Sequence, residues 1–87
     1  MEMIDYKAEK LLRIECELDE GRVKYIKIAG DFFIHPEEKI IEIEQFLKGL
    51  SISGLAEKLR GFLTTNSIRV IGFTPEDIER ALRLSNP

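Results

Sequence analysis

Hydrophobic and polar positions along this chain follow two different periods, first two and then 3.6. From Lys10 to Leu18, Leu12, Ile14, Cys16 and Leu18 alternate with Arg13, Glu15 and Glu17, the signature of a strand with one wet face and one core face. Asp19-Glu20-Gly21-Arg22 supplies a turn, with Gly21 suited to a positive φ. Val23 to Ala29 resumes the strand pattern, so this region reads as an antiparallel hairpin. Ile26 and Ile28 mark one face of the second strand while Val23 and Tyr25 fall on the other, which calls for a bulge or for cover on both faces. Gly30 breaks the run, and Asp31 to Ile34 reads as a short third strand. Residues 1–9 are mixed and polar without a clear period and are expected to form a loose N-terminal arm.

Past His35 the period becomes helical. Ile40, Ile43, Leu47 and Leu50 recur at helical spacing, with Ile41 and Phe46 widening the stripe. His35-Pro36-Glu37-Glu38 looks like the start of that helix, since Pro is pre-organised for a first helical position and carboxylates suit the positive end of the dipole. Gly49 and the serines after it end the helix. A second helix is expected from about Gly54 to Leu63 behind Ser53 as cap, with Leu55, Leu59 and Phe62/Leu63 as its apolar side. A third begins at Thr74-Pro75-Glu76-Asp77 and buries Ile78, Ala81 and Leu82. Asn66 to Gly72 holds Ile68, Val70 and Ile71, enough for one more short strand. Strands first and helices after predict an α+β fold: a small antiparallel sheet, built from the N-terminal hairpin plus short strands, with three helices packed on one face.

The 87 residues fit one domain spanning 1–87, and the 44% hydrophobic and 33% charged fractions fit a soluble globular protein and argue against disorder. The net charge of −3 gives no support to nucleic-acid binding. No apolar run reaches bilayer-spanning length and no signal-peptide pattern opens the chain, so the expectation is a cytoplasmic protein without a membrane partner. Cys16 stands alone and precludes an intrachain disulfide.

Complete catalytic constellations are missing from the sequence. His35 is the only histidine, and its neighbours Glu37 and Glu38 belong first to the helix dipole. The carboxylates lack a His or Cys cluster to complete a metal site, and Gly49 and Gly54 are too isolated for a phosphate loop. Cys16 lies mid-strand on the Leu12-Ile14-Leu18 face, where a thiol behaves as a small hydrophobe; an exposed, activated cysteine would instead suit a sulfur acceptor or scaffold of iron–sulfur assembly. The segment Gly30-Asp31-Phe32-Phe33-Ile34-His35 is the more informative one. Adjacent phenylalanines on an extended segment point to opposite faces, so one packs inward and the other is free to meet something else. The plain alternative is a strand-to-helix connection with both rings partly covered.

The string Gly30-Asp31-Phe32-Phe33-Ile34-His35-Pro36-Glu37-Glu38, followed by Ile40, Ile43-Glu44 and Leu47-Lys48-Gly49, resembles the carboxy-terminal accessory domain of lipoate–protein ligases. It is most similar to the form found as a separate small subunit of archaeal bipartite ligases. Lys10-Leu11-Leu12-Arg13, the Asp19-Glu20-Gly21 turn, Gly72-Phe73-Thr74-Pro75-Glu76-Asp77-Ile78 and Ala81-Leu82 extend the likeness over nearly the whole chain. One departure is Ala8-Glu9, where the family carries a Gly-Gly pair before the lysine matched to Lys10.

This resemblance implies a non-catalytic accessory subunit that docks on a catalytic large subunit as a heterodimer and supports ATP-dependent lipoyl-adenylate formation. Lipoate and ATP with Mg would then sit in the partner, none would be bound by this chain alone, and a lipoyl-domain acceptor protein would be an indirect partner. Asp31, Phe32, Phe33, Ile34 and His35 are the expected partner-binding residues, with Lys10 as active-site support. A solvated, strand-edge lysine is the ordinary alternative for Lys10. A sulfur acceptor working through Cys16, or a generic protein-interaction domain, are the alternatives to the ligase-subunit reading as a whole.

Overall fold

Eight elements follow one another in this computed structural model, which describes residues 1–85: β1 (Glu2–Lys7), β2 (Leu11–Asp19), β3 (Arg22–Gly30), β4 (Phe33–His35), α1 (Lys39–Leu47), α2 (Leu55–Thr65), β5 (Arg69–Ile71) and α3 (Pro75–Ser85). Strands β2 and β3 form the expected hairpin. Asp19 pairs with Arg22, leaving Glu20 and Gly21 as a two-residue turn with φ of 51° and 77°. Positive φ at both positions matches the twist of the flanking strands. The register shifts between Glu17 and Leu18: Glu17 lies opposite Tyr25 but Leu18 opposite Val23, so Lys24 is the extra residue of a bulge. That bulge resolves the parity conflict in the sequence, because it returns Val23 to the core face with Ile26 and Ile28.

Residues 1–9 do not form a loose arm. Glu2–Lys7 is the outer strand of the sheet, paired antiparallel with β2 from Glu2 opposite Cys16 to Lys7 opposite Leu11. Ile4 and Tyr6 turn inward, half-buried, while Met3, Asp5 and Lys7 stay exposed. The period-two signal is therefore present but muted, since this strand sits at the edge and covers its core side only in part. The order is β1-β2-β3; β4 and β5 pair with each other in a separate two-stranded ribbon rather than lengthening the hairpin sheet.

The three helices lie over one face of the main sheet, α1 against β3, α3 against β1, with α2 packed on both other helices. Leu12 and Ile14 of β2, Ile26 of β3, Leu47, Leu59 and Leu82 are buried in one cluster. The opposite face carries charges, among them the Asp5–Arg13 pair at 2.9 Å and Glu17–Lys24 at 3.2 Å. The free edge of β3 is blunted: the Ile28 N–H donates to Glu44 Oε2 of α1 at 2.8 Å, and the Val23 N–H to the Leu50 carbonyl at 2.9 Å.

Helix starts differ from the sequence expectation in two of three cases. Helix α1 begins at Lys39, because Pro36 opens a turn closed by the Lys39 N–H on the Pro36 carbonyl at 3.0 Å; a fixed φ serves a turn as well as a first helical position. Helix α2 has Gly54, not Ser53, at its N-cap and no side-chain cap of its own. Its Ala56 N–H instead donates to Glu79 Oε1 of α3 at 2.8 Å, so one helix caps another. Helix α3 starts as expected: the Thr74 N–H donates to Asp77 Oδ2 at 2.8 Å and the Asp77 N–H donates back to Thr74 Oγ1 at 3.3 Å, a reciprocal capping box.

The Glu79 cap carries a pH signature. The Ala56 N–H bond, with help from Arg83 and against partial burial, holds the Glu79 carboxyl below its ordinary value of 4.5. A depressed folded pKa adds stability above the unfolded value and loses it as pH falls through the folded one. Stability is expected to fall as pH drops below 4.5, and Glu79→Gln to flatten that slope. Urea midpoints across the range check this; parallel slopes for the two proteins would remove Glu79 from the cap.

Candidate functional site

Gly30 to His35 leads from the main sheet into the ribbon, and its alternation sorts the candidate residues. Phe32 turns in, half-buried, and meets the buried Phe73 ring edge-on with centroids 5.0 Å apart at 87°. Phe33 turns out and is 70% exposed. Ile34 is buried and ties the ribbon to the core, whereas His35 and Asp31 are exposed. The Asp31 N–H donates to the Leu11 carbonyl at 3.1 Å, which fixes the end of β3 against the start of β2.

Lys10 comes to the same place. Its backbone N–H donates to the Gly72 carbonyl at 2.9 Å. The position a Cβ on residue 72 would occupy lies 2.9 Å from Phe32 Cβ and 3.0 Å from Lys10 Cγ, so both side chains crowd one point on the backbone. The fold thus gathers Lys10, Asp31, Phe32 and the β4 residues at one end of the molecule. Two residues the sequence reading did not single out join them. Ile71 is the cross-strand partner of Phe33 and is 56% exposed, and Arg69 is the partner of His35. Their signal was the short apolar alternation near residue 70; which strand it would meet is a long-range fact with no local trace. Together Phe33, His35, Arg69 and Ile71 border a concavity of about 280 Å³ over Ile34.

Among the described residues His35 makes no side-chain hydrogen bond that would orient it as a base, and no group of three or more His, Cys, Asp or Glu converges as a metal site. Cys16 is 0% exposed. Its Sγ lies 3.8 Å from Ser85 Oγ, and burial pushes its thiol pKa up. A reactive sulfur acceptor needs the opposite environment.

No family model matches the chain. It is 41% identical over 81 residues to lipoate-protein ligase A subunit 2 of Thermoplasma acidophilum, a match covering 92% of this chain and 85% of that one. The chain belongs to the lipoate–protein ligase A subunit 2 family. Its fold agrees with a solved chain from an archaeal lipoylation system of Thermoplasma acidophilum, described as a bi-partite lipoate protein ligase and its E2 lipoyl domain. The TM-score is 0.78 at 37% identity, with 94% of this chain and 93% of that one covered. The sulfur-acceptor alternative is not favoured. Among the described residues no helix is long and apolar enough to cross a membrane.

Proposed function

We propose that this chain is the non-catalytic accessory subunit of a two-part lipoate–protein ligase, docking on the catalytic large subunit and supporting ATP-dependent formation of lipoyl-adenylate for protein lipoylation. The observation that carries this reading is the likeness, along nearly the full length, to a protein named as subunit 2 of such a ligase. Lipoate and ATP with Mg bind in the large subunit on this reading, none of them to this chain alone, and the lipoyl-domain acceptor meets the complex rather than this chain. On this reading the pair works in the cytoplasm.

An accessory subunit without reacting groups acts by a population shift. It must bind the competent conformation of its partner more tightly than the open one, and it shifts the equilibrium by that difference only. Moving a partner from almost wholly open to almost wholly competent takes about 5.5 kcal/mol of differential binding, which is the scale of two or three well-buried anchor residues. Phe33 is the first such anchor, with Asp31, Phe32, Ile34 and His35 shaping its surroundings and Lys10 in support.

The deciding experiment measures lipoyl-adenylate formation by the large subunit, with ATP and lipoate, with and without this protein. Adenylate forming only in the mixture is the expected result; equal formation by the large subunit alone would sink the proposal. Phe33→Ala is expected to weaken complex formation by about 2 kcal/mol, read by calorimetric titration. Unchanged affinity would take Phe33 out of the interface.

A further inference from the structure

Resting on the accessory-subunit reading, we infer that the outer face of the β4–β5 ribbon, with Phe33 and Ile71 beside Arg69 and His35, receives a segment of the catalytic subunit that carries an apolar side chain next to a carboxylate. Residues directly opposite each other on paired strands share a face. Phe33 lies opposite Ile71, and His35 opposite Arg69. The ribbon therefore presents one apolar pair and one basic pair side by side, while Ile34 is buried and Val70 half-buried behind them.

Scattered single apolar residues on a surface need no explanation, but here two large ones, 70% and 56% exposed, are neighbours across a strand pair. Arg69 supplies an independent observation. Arg13, Arg60, Arg80 and Arg83 each pair with a carboxylate, and Arg22 donates to the Gly49 carbonyl. Among the described residues Arg69 is the one arginine with neither an ion pair nor a side-chain hydrogen bond, in a chain whose 16 acidic residues outnumber its 13 basic ones. A guanidinium fork held beside an apolar pair fits a carboxylate that follows an apolar side chain.

A second copy of this chain fits the face poorly. A two-fold contact sets the same patch against itself, and none of the four outer residues is a carboxylate, so Arg69 would find no carboxylate among them. Two strands of three residues each also fall far short of the roughly 800 Å² per partner of a standard interface. A larger partner that continues its contact toward Lys10 and Asp31 has no such shortfall.

The test titrates the purified catalytic large subunit with the full chain and with Ile71→Ser, Arg69→Gln and Arg69→Glu, all at exposed positions, with Lys27→Gln of β3 as a control and circular dichroism to confirm folding. Ile71→Ser and Arg69→Glu are expected to weaken binding about tenfold or more, and Lys27→Gln to leave it unchanged. Added salt should weaken the wild-type complex more than the Arg69→Gln complex, as a lost ion pair requires. Wild-type affinity retained by both Ile71→Ser and Arg69→Glu overturns the inference and leaves the accessory-subunit reading intact. The same follows if those variants lose only self-association, or only binding to a lipoyl domain. No binding by the wild-type chain overturns the accessory-subunit reading itself.

Discussion

Gly30→Ala is expected to destabilise the protein by about 3 kcal/mol or more, the sum of backbone strain and a clash that cannot relax through a side chain. Gly30 has φ +146°, and a Cβ built on it would lie 2.2 Å from the Leu11 carbonyl oxygen and 3.1 Å from Leu12 Cα. That oxygen accepts the Asp31 N–H, so moving it away breaks the bond that fixes the crossing from the main sheet to the ribbon. For a domain of this size such a loss lowers Tm by roughly 12–24 °C. Gly21→Ala is the matched control. Gly21 also has positive φ, +77°, but nothing lies within 4 Å of its Cβ position, so only the strain of about 1 kcal/mol applies. Thermal melts of the two variants separate the clash from the strain, and equal Tm values would show that the close approach at Gly30 is not what sets the hinge.

That hinge also marks the boundary between what the sequence shows and what it hides. The β2–β3 hairpin was legible because Leu12, Ile14 and Cys16 alternate cleanly with charged neighbours and Asp19-Glu20-Gly21-Arg22 is turn chemistry. The third helix was legible because Thr74 and Asp77 cap it within four residues. These are local signals. β1 was hidden because an edge strand with half-buried Ile4 and Tyr6 shows a weak period. The cap of α2 is hidden because it comes from Glu79, more than twenty residues on in another helix, and no window around Ser53 contains it. The opposed directions of Phe32 and Phe33 followed from the extended backbone alone. Which side chains would flank Phe33 did not, since Arg69 and Ile71 reach it only through the pairing of two three-residue strands far apart in sequence.

The separation of support from contact at this surface has a consequence for mutants. Phe32 and Phe33 are neighbours in the chain, yet one ring belongs to the scaffold and the other to the exposed face. Surface substitutions away from special features cost within about 0.5 kcal/mol, so truncating Phe33 should leave the fold nearly as stable as before. Phe32 is held by Phe73, so its truncation should show in stability as well as in docking.

Phe73→Ala is expected to be the most damaging of these changes, at about 3–5 kcal/mol of stability. Its ring is buried, packs edge-on against Phe32, and sits between Ile71 of β5 and the Thr74 cap of α3. Removing it empties the space where ribbon, hinge and helix meet, and forfeits a ring pair worth about 0.5–1.5 kcal/mol beyond its buried area. Phe73→Leu should cost less, because most of the volume remains, yet it loses the ring pair and loosens Phe32. The informative comparison is between Phe73→Leu and Phe33→Ala. The first should lower Tm and weaken docking together; the second should weaken docking at nearly constant Tm. Melts and titrations against the catalytic large subunit, run on both, decide it. A Phe73→Leu protein that melts lower but docks with full affinity would show that Phe33 holds its direction without the ring beneath it, and would place the support for the docking face in the β4–β5 pairing alone.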